Sequence, residues 1–417
     1  MGLILGVPTS TVGFANKVFL NAFTPRTNAL SFSHATQFTP SVRTVEPVSM
    51  MSTFARLSQW RGSTPVVNPQ GYTCYIPNNI HNVSSSLSRA DYESDQIGAF
   101  PNLISQAGLN LLKYLDQYFF NRLIQHAGLR GATTNTANQV QLTTGQDPTL
   151  YSTTFDNVPM FSTKHAYTGS ASSIPNQSNY IVGSLPSTIA GVQSQSVETT
   201  TQNFLQDIQQ IFHTFASFIM PNGDNFWNSF DGRTTLTIYV PMILYQAAKI
   251  AFGTNLNNIV SATTNVGSDL IARVVPNNYM YQVPDMNDST PGAFIKGLAD
   301  TMYICVLSND YVRPFLGTAF QTMPNAWQYP FGSQSPQDKM AADFKAAKQI
   351  LNVDDFTAAV YSATIVDTNL NAQGNQAQPS TMNGSFFVAP RFRGAIEPAF
   401  WPCSLCVLPS GSTVPSW

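Results

Sequence analysis

Residues 57–125 read LSQWRGSTPVVNPQGYTCYIPNNIHNVSSSLSRADYESDQIGAFPNLISQAGLNLLKYLDQYFFNRLIQ, and three textures follow one another inside this stretch. The first is extended. Tyr72, Cys74 and Ile76 alternate with Thr73 and Tyr75, while Pro65, Pro69 and Gly71 punctuate the connection before them, so residues 55–85 read as two strands joined by a Pro/Gly turn. The second, Ser88-Arg-Ala-Asp91-Tyr-Glu-Ser-Asp95, is acidic and rich in the residues that cap helices. The third is helical: Leu103, Ile104, Ala107, Leu111, Leu115, Tyr118, Phe119 and Leu123 recur every three and four residues. That spacing draws one apolar face over about seven turns, and Gly128 and Gly131 mark its end. A projecting hairpin followed by one very long helix is an unusual opening. A two-stranded hairpin alone is marginal in water, so it has to lie on something. Trp60 and Tyr72 are its expected apolar anchors, with Arg61 and Tyr75 beside them, since aromatic residues and Arg dominate contacts between chains.

Outward from this stretch, residues 1–54 read as an extended arm. Short apolar pieces, among them Val18, Phe19, Leu20 and Phe23, alternate with Thr, Ser, Asn and Pro without a sustained period. An arm of that kind buries its apolar residues, Phe19 and Phe23 first, on a neighbour. Downstream, 133–154 is a polar loop or weak hairpin, and 168–196 is a Ser/Asn/Gln/Gly connection with few anchors. Phe204, Ile208, Ile211, Phe215 and Ile219 then predict a second amphipathic helix, stopped by Pro221-Asn-Gly223. Strands are expected at 234–240, 270–275, 303–307, 356–367 and 385–408, with Pro241 opening a helix that Gly253 closes. Turns are expected over 313–338 and a short helix over 337–351. Helices and strands mix without strict βαβ alternation, which argues for an α+β fold.

The chain has 417 residues, of which 43% are hydrophobic and 12% aromatic, enough for a sizeable core. Only 10% are charged, against roughly 25% in an ordinary soluble protein. Low charge with abundant aromatics excludes intrinsic disorder. A polar but uncharged surface suits a protein whose faces are covered by copies of itself. The formal net charge is −2, and the Lys and Arg residues are scattered, which argues against a dedicated nucleic-acid binder. MGLILGVPTST has no basic n-region, and no stretch reaches the apolar length of a membrane span.

Catalytic chemistry finds little support. HExxH, GxSxG, the phosphate-binding Gly-Lys loop and GxGxxG are all missing. Cys403 and Cys406 form a lone CxxC without a second ligand pair, and read as small apolar residues on a buried strand. Lys164-His165 near Asp156 offers a base and a carboxylate, but a polar loop holding itself by hydrogen bonds is the simpler reading. Asp91, Glu93 and Asp95 suit the start of a helix as well as they suit a cation. No cofactor is expected.

In their order, these pieces resemble the major head proteins of Mu-like bacteriophages. In that family a W-x-G hairpin leads to an R-D-x-E-x-D-x-iG segment and a long helix; the matching residues here are Trp60, Gly62, Ser88, Arg89, Asp91, Glu93, Asp95, Ile97 and Gly98. FDNVPMFSTKH is similar to a later stretch at Phe161 and His165, TTLTIYVPMILYQAAKIAF to a strand and helix at Val240, Pro241 and Ala247–Ala248, and FFVAPRFRGAIEPAFW to a terminal strand at Arg393 and Gly394. Val388-Ala-Pro390 departs from the glycine of that terminal motif, and 168–196 and 313–385 stand as insertions.

The resemblance implies the Hong Kong 97-type capsid fold: an N-terminal arm (1–54), an extended loop hairpin (55–86), a peripheral domain with its spine helix (87–200) and an axial domain with returning peripheral strands (201–417). It implies a non-enzymatic shell protein that self-assembles through hexamers and pentamers into an icosahedral head in the host cytoplasm. Its implied partners are a portal, a separate scaffolding protein, a decoration protein and packaged double-stranded DNA. The alternative of the same fold is an encapsulin-like compartment shell, and an unrelated hydrolase is the reading from another class. With so little charge, DNA contact is expected to be weak and salt-screened, carried by scattered residues such as Lys113 and Arg122. Residues 55–85 contain Arg56 and Arg61 but no Lys, so no amine is available there for an isopeptide weld, and the shell is expected to be held non-covalently.

Overall fold

The structure, a computed structural model, describes residues 30–41, 45–51, 71–77, 79–82, 85–88, 99–127, 132–134, 140–142, 154–156, 158–166, 175–220, 223–227, 234–255, 271–284, 294–296, 301–309, 312–320, 360–367 and 385–414. In chain order, β1 (Thr36–Ser41), β2 (Val45–Met51), β3 (Gly71–Pro77), β4 (Asn79–Asn82) and β5 (Ser85–Ser88) lead to helix α1 (Ala99–His126). The small hairpin β6 (Ala132–Thr134) and β7 (Val140–Leu142) follows, then β8 (Tyr180–Val182), α2 (Ile189–Gln193), α3 (Val197–Ser217) and β9 (Thr235–Val240). The second half comprises α4 (Tyr245–Ala248), β10 (Ile271–Pro276), β11 (Gln282–Pro284), β12 (Phe294–Lys296), β13 (Tyr303–Ser308), β14 (Phe315–Phe320), β15 (Val360–Asp367), β16 (Ser385–Pro398) and β17 (Ser404–Leu408). Helices and strands are mixed, as expected of an α+β protein.

Two sheets organise these elements. The five-stranded sheet has the order β10-β9-β13-β17-β8, with β10/β9 and β17/β8 parallel and the two inner pairings antiparallel. Every residue of β13 and β17 is buried, so these strands read as continuous apolar runs rather than alternations. Helix α3 covers the sheet with Phe204, Ile208, Ile211 and Phe215, all in one core with Leu236, Ile238, Cys305 and Leu405. Its start follows from capping: the Ser196 side chain accepts from Thr199 N, and Glu198 sits in the first turn. The helix ends at Ser217, short of Ile219, which instead bridges Asn225 around a turn where Gly223 takes φ +83°.

The second sheet runs β1-β14-β16-β15, and β4 and β5 add to β16 along its other edge. Helix α1 packs against β16, β15, β11 and β12. Its N-terminal half exposes Asn102, Gln106, Asn110 and Lys113, as a one-faced helix should. From Tyr118 to Ile124 every residue is buried, Asn121 and Arg122 included. The single apolar stripe expected from the period therefore gives way to a rod enclosed on all sides.

The structure corrects the sequence reading in five places. The two-stranded ribbon pairs β2 with β3, Val45 opposite Pro77 through Met51 opposite Gly71, so its first strand lies within the stretch read as the arm. Residues 79–88, read as the end of the hairpin and a polar lead-in, supply two strands paired with β16. The arm itself does not depend wholly on a neighbour: β1 pairs in parallel with β14, and Leu30, Phe32 and Ala35 are buried in their own subunit. Tyr239 OH donates to Ser31 O, and Arg313 Nη1 donates to the carbonyls of Ser33 and Thr36. Finally, β14 replaces turns over 315–320, and residues 175–196 are an anchored part of the body, with Tyr180, Ile181, Leu185 and Val192 buried. The expected helix at 337–351 lies outside the described residues. So do the acidic group at 91–95, Gly128 and Gly131.

One close approach in this region is testable. A Cβ on Gly183 would lie 2.5 Å from Asp207 Oδ2 and 2.9 Å from Val407 Cγ1. Asp207 Oδ1 accepts from Ser184 N and its Oδ2 from Tyr303 OH, fastening α3 to β8 and β13. Gly183→Ala should displace that carboxylate and lower stability by about 1–3 kcal/mol. The check is the Tm of the purified subunit, which should fall clearly below that of the wild type.

Candidate assembly surface and buried polar contacts

The β2–β3 ribbon has two chemically distinct faces because opposed residues on paired strands point the same way. Cys74 and Ile76 turn inward into the core, and Val48, opposite Cys74, packs against it. The outward face carries Tyr75, 63% exposed, opposite Pro47, and Val45, 44% exposed, opposite Pro77. A large aromatic with proline and valine around it is an apolar strip open to solvent.

Tyr75, one of the contact candidates, is exposed on the outward face of the ribbon. Tyr72 sits in β3 opposite Met50. Trp60, Arg61, Phe19 and Phe23 lie outside the described residues. Sequence reasoning missed a second exposed apolar set around α4: Met242 at 51%, Ile243 and Ile250. Its signal is present in MILYQAAKIAF, where Leu244, Ala247, Ala248, Ala251 and Phe252 supply the buried face and apolar residues remain for the other. The chain there passes from a single 3₁₀ turn (Met242–Leu244) through α4 to a π-helical turn (Lys249–Asn255) that runs past Gly253.

Arg122 does not face solvent. Its Nη2 lies 3.1 Å from Glu397 Oε1 and donates to Tyr118 OH, which in turn donates to Glu397 Oε1. Arg122 and Glu397 are both buried, joining α1 to β16. Arg122 is therefore a core residue and cannot serve as a contact for DNA, whereas Lys113 is exposed.

A second carboxylate on α1 holds the arm. Asp116 Oδ1 accepts from Ser31 N at 3.1 Å and Oδ2 from Ser31 Oγ at 3.3 Å. Burial pushes its carboxyl up to about 6, against which the two Ser31 bonds act only partly. A carboxyl raised on folding binds its proton more tightly in the folded chain. Its contribution to stability is therefore greatest below about 4, declines as pH rises towards 6, and is at its minimum above. Asp116→Asn keeps an acceptor for Ser31 N and cannot ionise. It should be about 2 kcal/mol more stable than wild type at pH 8, with the difference vanishing near pH 4. Urea unfolding of both proteins across that range is the measurement, and a constant difference would contradict the assignment.

Asp156 and His165 do come together. His165 Nδ1 lies 2.7 Å from Asp156 Oδ2, and Nε2 lies 3.1 Å from Met160 O, both residues being buried. Thr154 Oγ1 donates to Asp156 Oδ1 at 2.5 Å, and Asn179 Nδ2 donates to Met160 O at 2.6 Å. The imidazole stacks on Trp401 with centroids 4.2 Å apart and planes 7° from parallel. Its position favours structure over catalysis, because no substrate reaches a ring sealed on this scale.

Cys74, Cys305, Cys403 and Cys406 are free and buried. Burial raises all four thiols, Cys74 to about 12, so they stay protonated and act as small apolar residues. Among the described residues no group of three or more His, Cys, Asp or Glu is placed to hold a metal ion, and no helix is long and apolar enough to cross a membrane.

Residues 11–189 match the family described as Mu-like prophage major head subunit gpT. Solved structures similar to the chain include the capsid of the cyanophage P-SCSP1u, at TM-score 0.45 and 9% identity over 91% of this chain and 87% of that one. The mature capsid of bacteriophage PhiM1 is similar at TM-score 0.43 and 7% identity, over 92% and 87% of the two chains. The bacteriophage JBD30 capsid is 14% identical over 60% of this chain and 90% of its own, at TM-score 0.37. No curated protein matches the chain.

Proposed function

We infer that this chain, which over residues 11–189 matches the Mu-like prophage major head subunit family, is a major capsid protein of a tailed phage. The family match is the observation that carries this reading. It agrees with the charge content of 10% and with the apolar strip on the ribbon. The encapsulin-like alternative is not favoured, since the matched family is one of phage head subunits.

On this reading the chain adopts the Hong Kong 97-type architecture. The β2–β3 ribbon is the extended loop, α1 the spine helix of the peripheral domain, and the five-stranded sheet with α3 the axial domain. Subunits associate as hexamers and pentamers around packaged DNA, with portal, scaffolding and decoration proteins as partners, in a virion assembled in the host cytoplasm. Self-association is non-enzymatic, and Tyr75, Tyr72, Trp60 and Arg61 on the loop and Phe19 and Phe23 on the arm are its proposed contacts.

Electron microscopy of the expressed protein is the direct test: closed shells support the proposal, and monodisperse small oligomers under all assembly conditions oppose it. Tyr75→Ser gives a finer one. The side chain is mostly exposed in the subunit, so subunit stability should change by less than about 0.5 kcal/mol, while particle yield should fall several-fold. An undiminished yield would remove Tyr75 from the interface.

A further inference from the structure

Three basic side chains meet where the arm turn rests on the two sheets. Arg273 of β10 donates through Nη1 to His34 Nε2 on the turn before β1. Arg313, on the approach to β14, donates through Nη1 to Ser33 O at 3.2 Å and to Thr36 O at 2.9 Å. Among the described residues neither guanidinium is paired with a carboxylate. Asp116, the acid beside this turn, is engaged by the amide and hydroxyl of Ser31 instead. Partial burial and the two arginines push the His34 imidazole below its ordinary range. An arginine cannot relieve such crowding by losing its proton. The junction therefore holds two fixed positive charges that lack a partner of opposite sign among the described residues.

Hydroxyls surround the same spot. Ser33 Oγ, Thr36 Oγ1 and Thr237 Oγ1 are buried and find no hydrogen-bond partner among the described residues. Thr36 and Thr237 are 1% and 0% exposed. Ser33 and Thr36 lie on either side of His34 in the chain. Thr237 is opposite Arg273 in the parallel β9–β10 pairing, so its side chain shares the face of the sheet from which Arg273 projects. A buried hydroxyl without a partner is costly unless a water or an ion completes it.

We propose that this junction is a phosphate-binding site, in which Arg273, Arg313 and His34 hold the oxygens of a phosphate group against a wall of the Ser33, Thr36 and Thr237 hydroxyls. A guanidinium N–H can only donate, so His34 Nε2 accepts from Arg273 and the ring proton sits on Nδ1, a further donor. Each arginine commits only Nη1 to the protein, which leaves Nε and Nη2 of both for a ligand. A carboxylate would balance only one of the two fixed charges. A phosphate carries about −1.5 to −2 at pH 7 and offers more oxygens to the guanidinium forks. Bound there, it ties the arm turn to β10 and to the start of β14. The group comes either free from solution or as part of a nucleic-acid backbone; the second source rests on the capsid reading, and the first does not.

The test titrates the purified full chain with inorganic phosphate by calorimetry at constant ionic strength, against chloride and acetate. Saturable binding with a Kd of about 1 mM or tighter is expected, with several-fold slower proteolysis within residues 30–41. No saturable binding, or acetate binding as tightly as phosphate, overturns the proposal. Arg273→Gln should weaken phosphate binding by about tenfold or more, and an undiminished affinity overturns the location. His34→Ala, which truncates an exposed side chain, should weaken it several-fold and decides alone if Arg273→Gln does not fold. A short DNA duplex separates the sources. Displacement of phosphate by the duplex, lost in Arg273→Gln, assigns the site to a backbone phosphate; an unchanged phosphate isotherm assigns it to the free ion. Shell formation is scored separately by electron microscopy, so failure of the capsid reading leaves the phosphate result standing.

Discussion

Glu397→Ala subunits should be about 3–5 kcal/mol less stable than wild type, a large share of the stability of an ordinary domain. The carboxylate is buried, and its Oε1 is shared by Arg122 Nη2 at 3.1 Å and Tyr118 OH at 3.3 Å. Removing it leaves a guanidinium in the core between α1 and β16 without the carboxylate it is paired with. Arg cannot discharge itself by losing a proton near neutral pH, so the cost is not evaded by titration. Two further variants separate charge from packing. Tyr118→Phe keeps the charge pair but removes the hydroxyl that accepts from Arg122 and donates to Glu397, and should cost about 1.5–3 kcal/mol. Arg122→Met combined with Glu397→Leu removes both charges while keeping volume, and should recover most of the loss. Urea unfolding with an unchanged m-value is the appropriate readout. A Glu397→Ala loss below about 1 kcal/mol would show that water reaches the site.

Phe119→Ala should cost a similar amount, about 3–5 kcal/mol, by leaving a cavity where four aromatic rings meet. Phe119 lies 5.5 Å from Phe32, 5.3 Å from Phe120, 5.5 Å from Tyr239 and 4.9 Å from Phe315, centroid to centroid. Those partners come from the arm segment, α1 itself, β9 and β14, so one side chain ties four parts of the chain together. Residues 30–41 rest on this cluster through Phe32 and on Asp116 through Ser31. The variant should therefore expose the arm as well as lower the Tm. Limited proteolysis within residues 30–41 should accelerate several-fold in Phe119→Ala and much less in Phe119→Leu, which refills most of the space. Equal cleavage rates in the two variants would contradict the role given to the ring.

The elements legible in the sequence are those whose signal is local. The α1 period, the apolar faces of α3 and the runs TLTIYV, YICVLS and SLCVL all appear as strands or helices close to the expected bounds. Pro241, as the opener of a helical turn, acts within three or four residues of itself. The order of motifs along the chain also carried the head-subunit resemblance, which the family match over residues 11–189 bears out. The exposure of Tyr75 follows from strand alternation, which assigns it to the face opposite the buried Cys74 and Ile76.

What local pattern could not supply was the partner across a long loop and the solvent exposure that follows from it. Arg122 looks like a surface cation on any helical projection; it is buried because Glu397, far along the chain, arrives beside it. Val45–Met51 was read as arm because nothing within a few residues names Gly71–Pro77 as its mate. His165 and Asp156 are close in sequence, yet only the arrival of Trp401 and Asn179 turns a polar loop into a sealed pair. Periodicity of 3.6 or 2 residues is written into neighbouring side chains, so sequence alone determined helix, strand and facing. Hydrophobic burial is non-directional and does not name its partners, and a polar group's charge state depends on whichever segments finally exclude water from it, so pairing and protonation were decided by the tertiary structure.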